Sequence, residues 1–136
     1  MRSPRKFRGY DEENQCWRYG HYYEGVMTDS PICIGDCRIC RVIIVDGVFY
    51  HVVPESVGQF TGLCDKDGAE VYEGDIVKAT LNNSFKDLGE WIGVVTYEGF
   101  EYCLETTDDQ WPIASWSRVS DAKIIGNAYE NPELLK

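Results

Sequence analysis

Six cysteines, two histidines and 23 carboxylates are the side chains of this sequence with the potential for chemistry. Cys33, Cys37 and Cys40 stand in a C-x3-C-x2-C pattern, the spacing that radical S-adenosylmethionine enzymes use for three ligands of an iron–sulfur cluster. Those enzymes need a large β/α barrel, and 136 residues are too few to build one. Cys40 also alternates with Val42 and Ile44, which gives it the place of a small hydrophobe on an apolar strand face. A structural zinc fits the residue types better. Cys37-x2-Cys40 is a short knuckle, and Cys33, Cys64 or His51 would complete a tetrahedron. Specific zinc sites carry a second paired cluster, which this chain lacks, so neither a metal nor a cofactor is expected.

The carboxylates lead to a similar result. Asp65, Asp67, Glu70, Glu73 and Asp75 surround Gly68, and Asp-x-Asp-Gly resembles part of a calcium loop. The third oxygen ligand before the glycine is missing, and Gly74 stands where the loop's closing glutamate belongs. A turn whose aspartates accept bonds from local amides is the simpler reading. There is no Gly-x-Ser-x-Gly elbow and no phosphate-binding Gly-x4-Gly-Lys-Ser/Thr loop. His51 alternates with Phe49 and Val53 as an ordinary strand histidine, and His21 is the only other imidazole. No catalytic residue is assigned, and the expectation is a protein that is not an enzyme.

Aromatic side chains are the remaining handle. Trp17, Tyr19, His21 and Tyr23 share one side of a strand, with Arg18, Gly20 and Tyr22 on the other. Such residues mostly pack cores and corners of small β folds, but Trp17, Tyr19 and Tyr23 are also the candidate interaction surface.

The elements that position these residues are strands. Thirteen glycines and plentiful Val, Ile, Tyr and Trp suit pleated ribbons with tight turns, and no helical period extends over ten residues before the C-terminal tail. Trp17–Tyr23 is a strand. Ile39–Val45, Asp46-Gly47 and Val48–Val53 form a hairpin, because both central residues of a type I′ turn need positive φ. Two glycines in Val57–Leu63 predict a bend or bulge. Asp65–Gly68 is a turn, Val71–Lys78 is extended with a kink at Gly74-Asp75, and Leu81–Glu90 is the longest loop. Trp91–Tyr97 and Phe100–Glu105 pair around Glu98-Gly99, and Lys123–Ala128 is the last strand. Asn131 caps a helical turn that has Pro132 at its first position. The fold class is all-β: an N-terminal β-meander over residues 1–54 and an SH3-like barrel over 55–136, together one compact unit.

Net charge is −10. Arg2, Arg5, Lys6 and Arg8 crowd the first eight residues, which leaves 9 basic against 23 acidic side chains in the rest, a net −14. That body repels phosphate backbones, so nucleic acid is a disfavoured partner, and the basic start reads as a solvated arm. No apolar run is long enough to span a membrane, and no apolar stretch follows the basic start as a secretory signal requires. A cytoplasmic chain with reduced thiols is the expectation.

Three segments together resemble a known family. They are Phe7-Arg8-Gly9 with Trp17-Arg18-Tyr19-Gly20; Val57–Leu63 with Asp65-Lys66-Asp67-Gly68 and Val71–Val77; and Ile125–Leu135. Their order and spacing resemble the YopX family of phage and prophage proteins over nearly the whole chain. The resemblance implies a small β-rich protein with an SH3-type barrel, encoded in a phage genome or an integrated element. The family has no established activity, so it assigns no catalytic residue. The cysteines at 33, 37 and 40 depart from its usual pattern.

The expected function is therefore that of a non-enzymatic phage or prophage accessory protein acting through protein–protein contacts. Open sheet edges leave room for a homo-oligomer. Two rival readings are an acidic mimic of nucleic acid that blocks a host DNA-binding protein, and a nucleic-acid-binding barrel led by the basic arm.

Overall fold

The computed structural model describes residues 6–25, 40–82, 87–106 and 113–135, with backbone only at 87 and 88. Everything regular in it is antiparallel strand or a short 3-10 turn, as the glycine-rich, β-branched composition predicts. The chain divides into two units, Met1–Gln59 and Phe60–Lys136.

In the first unit, β1 (Phe7–Asp11), β2 (Cys16–Gly25), β3 (Cys40–Val45) and β4 (Val48–His51) lie in the order β4-β3-β2-β1. The first residues of β5 (Gly58–Cys64) continue it, with Gly58 opposite Arg8 and Gln59 opposite Phe7. The β1–β2 turn is held by Asp11, which is only 2 % exposed. Its carboxylate accepts bonds from the Asn14 backbone N–H (3.1 Å), the Asn14 amide (2.7 Å) and Arg18 Nε (3.1 Å). The β3–β4 turn is the predicted one: Asp46 has φ 49° and Gly47 φ 81°, both in the left-handed region that a two-residue hairpin demands. After β4 the chain crosses Gly9 so closely that a Cβ there would lie 2.8 Å from the Val52 side chain. A 3-10 turn at Pro54–Ser56 then returns it, where Ser56 Oγ accepts from Tyr10 N at 2.7 Å.

The second unit contains the rest of β5, β6 (Glu70–Tyr72), β7 (Asp75–Asn82), β8 (Asp87–Glu98), β9 (Glu101–Thr106), β10 (Ile113–Ser115) and β11 (Val119–Asn127). Five of these form an open sheet in the order β10-β9-β8-β7-β11. The alternation of β7 turns Val77, Ala79 and Leu81 inward, where they meet Val71, Val95, Leu104 and Ala122 in the core. Burying such aliphatic side chains contributes about 1.5–3 kcal/mol each for the larger ones. Gly93 is required by a close approach, since a Cβ there would sit 2.6 Å from the Glu105 carbonyl oxygen of β9.

One expectation is not confirmed and three need correction. No sheet closes among the described residues, so the SH3-like barrel expected over 55–136 is not confirmed; β10 and β11 are the edges of their sheet there. The segment Leu81–Glu90 is not simply a loop, because Thr80 pairs with Glu90 and Asn82 with Asp87, extending β7 and β8 into it. The β8–β9 turn is Gly99-Phe100, one residue later than expected. Asn131 precedes the 3-10 turn Pro132–Leu135, but its Oδ1 accepts from Asn127 N at 3.2 Å.

Candidate functional site

Strand alternation and register together define one face of the first unit's meander. Tyr23 lies opposite Val42 and His21 opposite Ile44. Val42 lies opposite His51 and Ile44 opposite Phe49. On the other side of β2, Tyr19 is opposite Arg8 and Trp17 opposite Tyr10. Directly opposed residues share a face, so all of these side chains belong to the same one.

Its aromatic positions on β2 and β4 are exposed, while Arg8, Cys40 and Val42 on the same face are buried. Tyr19 is 45 % exposed, Tyr23 44 % and Phe49 46 %, and His21 is exposed between them. Trp17 is half-buried and works as a support. The Arg8 guanidinium lies 4.9 Å from its ring centroid, and Tyr10 meets it edge-on at 5.4 Å. None of the strand positions on this face is Asp or Glu, in a chain with 23 of them. Carboxylates reach only its margins, through Glu12 and Glu13 in the β1–β2 turn and Asp46 in the β3–β4 turn.

The opposite face has another character. Its charged groups are engaged with each other or with rings: Arg18 sits 3.8 Å from the Tyr50 ring centroid, and Arg41 lies 3.6 Å from Glu24. Tyr22 packs on Phe7 at 5.6 Å and donates to Glu24 at 2.8 Å. Burial pushes its phenol pKa up, and the neighbouring Glu24 carboxylate adds to the rise.

Beside the aromatic face, a cleft of about 320 Å³ is lined by Glu12, Glu13, His51, Val52, Val53 and Pro54. Its carboxylates belong to an exposed turn. The strongly buried carboxylates lie elsewhere and have structural tasks. Asp11 holds its turn, Asp75 Oδ2 accepts from Tyr72 N at 2.8 Å, and Asp65 ties three backbone amides.

Three of the five zinc candidates, Cys40, His51 and Cys64, lie among the described residues. Cys33 and Cys37 lie outside the described residues. Cys40 is disulfide-bonded, against the expectation of reduced thiols, and a sulfur so bonded is no thiolate ligand. His51 belongs to the first unit and Cys64 to the second, where its thiol is free and exposed. Among the described residues no three His, Cys, Asp or Glu side chains are grouped to hold a metal. Cys103 is buried and its Sγ faces the Glu98 and Glu101 carbonyls, with burial pushing the thiol pKa up. It is therefore a packing residue, not a nucleophile. No helix among the described residues is long and apolar enough to cross a membrane.

Trp17, Tyr19 and Tyr23 are thus brought together as one strand's alternation requires. Phe49 was missed by sequence reasoning. A signal for it existed: a two-residue turn at Asp46-Gly47 fixes the register that sets Phe49 across from Ile44.

A family model described as YopX protein matches residues 6–136. Among solved structures, the chain is similar to the crystal structure of protein EF1440 from Enterococcus faecalis. That match has 22 % identity, 98 % of this chain and 99 % of that one covered, and a TM-score of 0.53. The X-ray structure of protein yopX from Bacillus subtilis matches at 17 % identity, with 96 % and 95 % covered and a TM-score of 0.49. No curated protein matches the chain.

Proposed function

The chain belongs to the YopX family, and on that premise we propose that it is a phage or prophage accessory protein that works by contacting another protein, without catalysis. The contact surface is the aromatic face of the meander, centred on Tyr19, His21, Tyr23 and Phe49. The observation that carries this reading is the pairing of exposure with charge. Three large rings, each nearly half exposed, share a face whose strand positions carry no acid, on a chain of net charge −10. Rigid aromatic side chains supply contact area at low entropic cost, and they are the anchors that protein interfaces favour. The rejection of catalysis is supported by the work of the buried carboxylates, whose oxygens are committed to holding turns.

The test is affinity capture from host lysate at about 50 mM and about 300 mM salt, with screening of exposed charges as the variable between the arms. A Tyr19→Ser/Tyr23→Ser double variant serves as the comparison. A partner retained by the wild type in both salts and lost with the double variant is the expected result. Equal capture by both proteins overturns the assignment of the face. Capture confined to basic nucleic-acid-binding proteins that elute at the higher salt overturns the reading in favour of an acidic mimic.

A further inference from the structure

We propose that the tip of the β8–β9 hairpin is a further contact site, which inserts the Phe100 ring into an apolar pocket of a partner protein whose rim carries lysine or arginine. The proposal goes beyond the meander face and stands without it. Three unfavourable features converge on this turn. Phe100 has φ 75°, in the left-handed region where a bulky side chain is strained. Its ring is 94 % exposed, so the strained residue also holds an apolar group in water. Glu98 lies directly opposite Glu101, and like charges in a cross-strand pair destabilise a hairpin. Glycine at position 100 would remove the first two, since a type I′ turn prefers it there.

Nothing on the hairpin itself offsets these features. Residues 87–106 include five acids and no Lys or Arg, and neither Glu98 nor Glu101 forms an ion pair among the described residues. Behind the apex the hairpin is firm: Tyr97 lies opposite Tyr102 and meets it edge-on at 4.9 Å. Shape and charge then name the partner. A tip is convex and fits a pocket, and an aromatic ring is an anchor that protein interfaces favour. Two carboxylates beside the ring select a pocket edged by ammonium or guanidinium groups. Phosphate backbones and anionic lipid surfaces are repelled by the same pair.

The test puts a photoreactive ring at the apex of the full chain, Phe100→p-benzoylphenylalanine, and irradiates it in host lysate at about 50 mM and about 300 mM salt, which differ in how far exposed charges are screened. The expected result is a cross-link to one protein, at a peptide that carries Lys or Arg beside apolar residues. Unlabelled wild type is expected to compete it away. Phe100→Gly is expected to compete at least about tenfold less well, although relief of the strain makes it melt higher than wild type. Lost contact in a more stable variant is not a failure to fold. Adding Glu98→Gln/Glu101→Gln to the photoreactive chain is expected to lower the yield at least about fivefold at the lower salt and less at the higher. Equal competition by Phe100→Gly and wild type overturns the anchor. A yield indifferent to the double variant overturns the cationic rim. Cross-links scattered over many proteins, or confined to lipid, overturn the site as a whole.

Discussion

Asp65 is 9 % exposed and carries the turn between β5 and β6 almost alone. Its Oδ1 accepts from the N–H groups of Asp67 and Ala69, both at 2.9 Å, and its Oδ2 from Ile124 N at 3.3 Å. Burial pushes the carboxyl pKa up, but the three amides and the charge of Lys123 outweigh it and hold the pKa below the ordinary value. A group whose folded pKa is depressed stabilises the fold above its unfolded value, near 4, and loses that contribution as pH falls through the folded value. Asp65→Asn keeps one acceptor oxygen and removes the charge, so it should cost about 1–2 kcal/mol at neutral pH. The difference between wild type and variant should start to shrink as pH falls below ~4, where the unfolded chain's carboxyl takes up its proton, and should go on shrinking until the folded carboxyl is neutral too. Urea unfolding at neutral pH and near pH 3 checks both parts, and a gap of constant size would contradict the assigned role. This turn was legible because Asp followed three residues later by Gly is a local signal. The aromatic face was legible only in part: Trp17, Tyr19 and Tyr23 sit on one strand and need only alternation, whereas Phe49 joins them through two rounds of strand pairing.

At the scale of elements, the hairpins show which signals travel in sequence and which do not. Asp46-Gly47 was readable because its residue types match the φ values a type I′ turn imposes. The β8–β9 turn was displaced by one residue because it breaks the same rule: Gly99 has φ 58° and Phe100 φ 75°. A phenylalanine is strained there, and it is 94 % exposed, so no packing offsets the strain. Phe100→Gly should therefore stabilise the protein by about 1 kcal/mol and raise its melting temperature by roughly 3–6 °C. Calorimetry on the two proteins measures it, and an unchanged or lowered melting temperature would remove the strain argument. β1 escaped sequence reasoning for a different reason. Its five residues, Phe7–Asp11, include a glycine and two charged side chains, and both Arg8 and Asp11 are buried. Partners elsewhere make that burial tolerable: Trp17 on β2 for Arg8, and Arg18 on β2 with Asn14 in the turn for Asp11. β10 has three residues, too few to show a period. The expected barrel was beyond reach on the same ground: closure depends on which edges meet, and period-2 patterning is silent about edges.

For the whole molecule, salt separates contact through a neutral face from contact through charge. The Debye length falls from about 30 Å at 0.01 M to about 8 Å at 0.15 M ionic strength. Two copies of net charge −10 repel across tens of ångströms in the dilute buffer and hardly at all in the concentrated one. The contacts made by Tyr19, Tyr23 and Phe49 are apolar and change little with salt. Binding of another protein through that face alone should therefore stay within about threefold between those two conditions. An acidic mimic bound to a basic partner behaves differently, losing affinity as counterions compete. Capture at both ionic strengths separates the two directly. The basic start of the chain sharpens the test. Were Arg2 and Arg5 docking onto the acidic body of another copy, self-association would weaken with salt, and the aromatic face would lose its claim to the interface.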